Sequence, residues 1–155
     1  MKKILFVVLA GLVVSLSARA ENTRVTNPNA MSLEVMGHAG IWSINYDRAV
    51  DESLVAGIGF GTTVWNSSAF PAYVNYYFLK EQSSLYLTAG VTIFGSSTLN
   101  TIFGDLRTSS SVVGNVGLGY EVRSDAGFLV RLTAYGFFGG NTFQPWGGLS
   151  LGWSF

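Results

Sequence analysis

Chemistry in this 155-residue chain would fall to a short set of side chains: Glu34, His38, Glu121, Arg123 and Arg131. Glu121 and Arg131 stand on either side of the turn Ser124-Asp125-Ala126-Gly127, so a hairpin there would bring opposite charges face to face. Such groups could relay ions or protons, or they could neutralise one another as a static plug. His38 is the only histidine and cysteine is absent, so a three-ligand zinc site cannot be assembled. As a general base, His38 would need an acid and a hydroxyl to converge on it. Glu34 and Ser43 are nearby in sequence, but hydroxyl residues are abundant here. Flanked as Gly37-His38-Ala39-Gly40, the histidine reads as an exposed turn residue.

The elements that must position these groups are strands. Apolar residues recur at every second position, the periodicity of an extended chain. In 85–93, Leu85, Leu87, Ala89, Val91 and Ile93 alternate with Tyr86, Thr88, Gly90 and Thr92. Segments 112–123, 128–138 and 146–155 split in the same way, and 54–65 and 70–79 behave similarly. Glu34, Glu121, Arg123 and Arg131 all fall on the less apolar face, which is rich in Gly, Ser and Thr. Gly57-x-Gly59-x-Gly61 and Gly117-x-Gly119 lie on that face too. With no following helix and no Gly-Lys-Ser/Thr they are not phosphate loops; they read as positions kept small so that larger inward side chains fit.

The beginning of the chain reads differently. Met1-Lys2-Lys3, an apolar run over 4–14, and a small-residue end at Ala18-Arg19-Ala20 form the pattern of a secretory signal, with cleavage expected after Ala20. Eleven apolar residues fall short of the roughly 20 that a spanning helix needs. Nine basic and nine acidic residues balance over the whole chain. Losing Lys2, Lys3 and Arg19 would leave six against nine, a net charge of −3, which argues against nucleic acid as a partner. Composition is 48% hydrophobic but only 12% charged, too apolar for a disordered chain. Without cysteine there is no disulfide framework to stabilise an exported protein of this size.

Strands of about ten residues, alternating in polarity and separated by turn clusters, are the sequence form of a transmembrane β-barrel. Soluble barrels also alternate, but here aromatics gather near strand ends (Trp42, Tyr46, Trp65, Phe70, Phe94, Phe128, Phe138, Trp153), as interfacial girdles require. A charge aimed at hydrocarbon costs about 2–4 kcal/mol for Arg near the midplane, so the four charged residues should face the lumen and pair. Six strands are plain: 54–65, 70–79, 84–94, 111–123, 127–138 and 145–155. Bacterial barrels have even strand counts, and the length suits eight. For the remaining pair two readings stand. Either 31–37 and 41–47 form a first hairpin, the preferred reading, or 31–48 is one long strand and 97–104 supplies the eighth. With both termini periplasmic, the turns near 48–52, 80–83 and 124–126 face the periplasm, and 66–69, 95–110 and 139–144 face outward.

The closing segment Trp146-Gly147-Gly148-Leu149-Ser150-Leu151-Gly152-Trp153-Ser154-Phe155 resembles the C-terminal strand of bacterial outer-membrane proteins. That resemblance makes Leu149, Leu151, Trp153 and Phe155 an expected signal for the barrel-assembly machinery. Three further segments resemble a broad set of uncharacterised small outer-membrane barrels: Ser32-Leu33-Glu34-Val35-Met36-Gly37, Trp42-Ser43-Ile44-Asn45-Tyr46-Asp47-Arg48 and Phe70-Pro71-Ala72-Tyr73-Val74-Asn75-Tyr76-Tyr77. The shared patterns are ExxG, SxNYxR, PxxxNY and GLSLGxxF. No catalytic residues come with the resemblance, and the short connection at 66–69 departs from it. More distantly, the architecture is similar to OmpA- and OmpX-like barrels, which implies roles in envelope integrity or surface contact.

The expected organisation is a signal peptide over 1–20, a periplasmic segment over 21–30 and an eight-stranded antiparallel up-and-down barrel over 31–155. The expected function is a non-enzymatic bacterial outer-membrane barrel with a side-chain-filled lumen. The alternatives are a narrow channel for ions or small solutes and a lipid-modifying enzyme using His38. No cofactor or metal is implied. Outer-membrane lipid, periplasmic chaperones and the assembly machinery are the expected partners, with no oligomeric state indicated.

Overall fold

The computed structural model describes residues 23–63, 67–95, 97–101, 104–108, 111–139 and 142–155. The signal peptide expected over 1–20, with Ala18 and Ala20 at its cleavage site, lies outside the described residues, as do Trp65 and Asn66. A single helical turn, α1 (Thr23–Thr26), precedes ten strands. These are β1 (Asn29–Val35), β2 (Trp42–Ala49), β3 (Leu54–Thr62), β4 (Ser68–Tyr77), β5 (Ser83–Phe94), β6 (Ser97–Thr101), β7 (Gly104–Thr108), β8 (Ser111–Arg123), β9 (Phe128–Gly139) and β10 (Thr142–Ser154).

Eight of them close an antiparallel barrel in the order β1-β10-β9-β8-β5-β4-β3-β2, while β6 and β7 form a separate hairpin. The first-hairpin reading is therefore the observed one: β1 and β2 pair from Asn29↔Arg48 to Val35↔Trp42. Within the alternative segment 97–104, Ser97–Thr101 pairs with Gly104–Thr108, and neither pairs with a barrel strand among the described residues. Strand limits shift slightly from expectation: β1 starts at Asn29, and β3 ends at Thr62 rather than 65.

Register fixes the size of the barrel. Partners run from Phe143 on β10 through Phe138, Gly114, Val91, Ala72, Ile58, Tyr46 and Met31. Met31 then returns the circuit to β10 at Trp153, ten residues along. Eight strands with a shear of ten, at ~3.3 Å per residue and ~4.8 Å between strands, give a tilt of about 41° and a radius of about 8 Å. Such an interior holds side chains and little else.

Polarity is inverted relative to a water-soluble barrel. Met31, Leu33, Ile44, Ile58, Val74, Leu85, Leu87, Val91, Leu118, Leu132, Leu149 and Leu151 are exposed on the outside. Ser32, Glu34, Asn45, Asp47, Asn75, Thr88, Asn115, Glu121, Arg131 and Ser150 are buried within. Among the described residues the outward side of the barrel strands carries one charge, Arg48, at the termini end of β2. A soluble barrel would have its apolar side chains inside.

Candidate functional site

The lumen holds two polar clusters. The nearer to the chain termini centres on Glu121, which β8 aims inward. Its Oε1 accepts from Arg24 Nε at 3.2 Å and Nη2 at 3.1 Å. Its Oε2 accepts from Tyr77 OH at 2.7 Å and Arg131 Nε at 2.5 Å. Arg123 Nε lies 3.3 Å from Oε1, an ion-pair distance without hydrogen-bond geometry. Arg131 reaches onward, its Nη1 2.5 Å from Asp47 Oδ2, and Tyr73 OH donates to Asp47 Oδ1 at 2.8 Å.

Sequence reasoning missed two charged members of this cluster, Asp47 and Arg24, and its tyrosines Tyr73 and Tyr77. Asp47 belongs to the inward series Ser43, Asn45, Asp47 of β2 but is the last residue of the expected strand 41–47, where alternation no longer marks its face. Arg24 has no periodic context. It comes from α1, is fully buried, stacks its guanidinium 3.9 Å over Tyr77 and donates to the carbonyls of Leu79 and Glu81. The segment before β1 thus closes the barrel base with a cation. Around it the wall is thinned to fit. A Cβ on Gly57 would meet Tyr73 and Asp47, and one on Gly119 would meet the Tyr86 ring.

The second cluster centres on Glu34, the one expected lumen charge that does not join Glu121, Arg123 and Arg131. Glu34 Oε1 accepts from Tyr135 OH at 2.7 Å and Ser150 Oγ at 3.4 Å. Its Oε2 accepts from His38 N at 3.0 Å, Asn45 Nδ2 at 3.2 Å and Ser43 Oγ at 3.3 Å. His38 Nδ1 stands 3.1 Å from the same oxygen, which places the ring proton on Nδ1.

His38 is a correction: it is not an exposed turn residue but buried in the lumen, 3% exposed. Met36 in the left-handed region (φ 55°) and Gly40 (φ 106°) fold the 36–41 connection inward instead of over the rim. Gly37 allows this, because a Cβ there would fall 1.8 Å from Glu34 Cδ. The imidazole then stacks on Tyr73 at 4.1 Å and meets the Tyr135 ring edge-on at 4.5 Å. Thr92 Oγ1 donates to His38 O at 2.9 Å and accepts from Asn115 Nδ2 at 3.3 Å, tying this plug to the far wall.

An acid and a hydroxyl do converge on the imidazole, Glu34 at Nδ1 and Thr88 rather than Ser43 at Nε2, in a buried setting. Ser43 bonds Glu34 rather than the imidazole, and His38 Nε2 faces Thr88 Oγ1 at 3.4 Å. Ser43, Thr88 and His38 are all buried. The described lumen charges balance: Arg24, Arg123 and Arg131 against Glu34, Asp47 and Glu121. Among the described residues no group of three or more metal-ligating side chains occurs. The other expected signal, Leu149, Leu151, Trp153 and Phe155, forms one exposed stripe down the outside of β10.

The sequence matches no family model and no curated protein. Among solved structures, the chain is similar to the N-terminal β-barrel domain of Pseudomonas aeruginosa OprF, with a TM-score of 0.69 and 15% identity. The match covers 83% of this chain and 98% of that one. At that identity the likeness is one of fold, a closed antiparallel β-barrel.

Proposed function

We propose that this protein is a bacterial outer-membrane barrel that serves envelope structure or surface contact, with a lumen filled by its own side chains and no catalytic role. The observation that carries the reading is the outer face. Two aromatic girdles bound its apolar band: Trp42, Phe60, Phe70, Phe138 and Phe143 at one end, Tyr76, Phe78, Phe128, Trp153 and Phe155 at the other. Phe128 to Phe138 on β9 and Phe143 to Trp153 on β10 each span ten residues. At ~3.3 Å per residue and ~41° of tilt that is about 25 Å, the height of the apolar band in outer-membrane barrels.

Closure gives each barrel strand a hydrogen-bonded neighbour on both sides, as hydrocarbon demands of a spanning sheet. The end bearing the termini faces the periplasm in this reading, after removal of the signal over 1–20. The exposed β10 stripe ending in Phe155 suits recognition by the assembly machinery.

Plugging argues for structure over transport. The Glu121 and Glu34 clusters lie one above the other, bridged by the Tyr73 ring, which bonds Asp47 and stacks on His38. Planar-bilayer recording tests this directly. The purified barrel is expected to give no steady single-channel steps, and reproducible steps would make it a channel. Unchanged lipid A masses on deletion are expected as well.

A further inference from the structure

The barrel wall is not level. All eight strands end nearly flush at the termini side, but β1 is seven residues long and β10 thirteen. The last β1–β10 pair is Val35↔Leu149, so residues 142–148 of β10 rise beyond it. At ~3.3 Å per residue and ~41° of tilt this is on the order of 17 Å of wall height. Among the described residues only the inturned 36–41 connection approaches it, with Gly148 against Gly37 and Met36 O.

The edge is chemically adapted to stand alone. Phe155 exchanges backbone hydrogen bonds with Asn29, so odd-numbered residues of β10 direct their backbone groups toward β1. Above the last pair these are Phe143, Pro145 and Gly147. Pro145 has no N–H to leave unpaired, the usual reason proline is confined to strand edges. Its carbonyl takes a 3.5 Å hydrogen bond from the Gln144 side chain.

Behind this edge lies a cavity of about 310 Å³, lined by Phe94, Val113, Phe137, Trp146, Gln144 and Thr63, with Gly40. Three aromatic rings and no charge make it a site for a small neutral aromatic molecule; its size is at the lower end for ligand pockets. The inturned His38 segment with Thr92 and Asn115 closes the lumen below, so a molecule in this vestibule cannot continue through the barrel.

We propose that the notch above β1 is a lateral portal. Small neutral aromatic molecules enter the vestibule from the outer mouth and leave sideways, between β10 and β1, into the outer half of the bilayer. This rests on the membrane reading above and adds a passage to it.

The test uses the full chain in a Gram-negative host, with N-phenyl-1-naphthylamine uptake as readout. Outer-membrane fractionation and heat-modifiable mobility are checked for every variant, so a failure of the membrane reading shows there and not in the uptake. Expression of the wild type is expected to accelerate uptake above the empty vector. Val113→Trp, which fills the vestibule, is expected to return it to vector level, with Thr63→Trp as the substitute if that variant does not fold. Met36→Cys with Gly147→Cys straddles the notch, and a Cβ on Gly147 would make an ordinary 3.8 Å contact with Thr133 O. Bridging that pair with a bismaleimide is expected to abolish the acceleration, while the unbridged pair retains it.

In micelles, naphthalene is expected to shift the Trp146 indole N–H resonance saturably, leaving Trp42 and Trp153 on the outer face unmoved. Vector-level uptake by the wild type, persistent uptake after bridging, or an unmoved Trp146 resonance would each overturn the proposal.

Discussion

Arg131→Leu is the perturbation that most sharply probes the plug. Arg131 is the cation that two buried carboxylates share, 2.5 Å from Glu121 Oε2 through Nε and 2.5 Å from Asp47 Oδ2 through Nη1. Without it Glu121 keeps Arg24, Arg123 and the Tyr77 hydroxyl. Among the described residues Asp47 keeps only the Tyr73 hydroxyl. The loss therefore falls on Asp47, and breaking one side of a buried ion pair costs about 3–5 kcal/mol. Asp47→Asn removes the stranded charge, so the double variant should recover part of that loss, a coupling of about 1–3 kcal/mol. Reversible urea unfolding in lipid vesicles, followed by tryptophan fluorescence and gel mobility, measures all four corners of the cycle. Arg123→Leu serves as the comparison, with a smaller effect expected because its contact to Glu121 lacks hydrogen-bond geometry. Arg131→Leu unfolding at the wild-type urea concentration, or a double variant that loses the sum of both singles, would refute the pairing argument.

Other substitutions read out other parts of the account. Tyr135→Phe deletes the 2.7 Å donor to Glu34 and should cost about 1–3 kcal/mol in the same unfolding assay. Gly37→Ala drives a methyl into Glu34, and a loss of about 1–3 kcal/mol is expected. An unchanged unfolding midpoint would mean that the inturned connection is not fixed by that contact. Leu118→Arg, outward on β8 between the girdles, should cost about 2–4 kcal/mol in vesicles. Asp125→Arg in the exposed β8–β9 turn should be near neutral, and equal effects from the two would deny the apolar band its lipid.

What the sequence made legible follows from where information is local. Alternation over 84–94, 111–123, 127–138 and 145–155 located β5, β8, β9 and β10 closely, because each has enough residues for a period of two to show. The same parity put Glu121 and Arg131 on one face, and the turn between them made them neighbours. The first hairpin was harder because β1 and β2 are only seven and eight residues long. The inward series switches from even numbers (Ser32, Glu34) to odd ones (Ser43, Asn45, Asp47) across the 36–41 connection, but strands this short give too few residues on each side for the switch to stand out.

His38 was misread for a different reason. Two flanking glycines signal a turn, but which way a connection folds depends on the room inside the closed barrel. That room is set by distant small residues such as Gly61 and Gly148, whose Cβ positions would meet Ala39 and Gly37. Arg24 was invisible because a single cation in a short polar segment carries no pattern. Its partner lies 97 residues away.

The central claim is that hydrocarbon covers the outside of this barrel. Refolding the mature chain from urea by dilution, with and without phospholipid vesicles, measures it most directly through strand circular dichroism and heat-modifiable migration. The account predicts a folded, heat-modifiable species only when vesicles are present. A folded monomer that stays in solution with neither lipid nor detergent would contradict it.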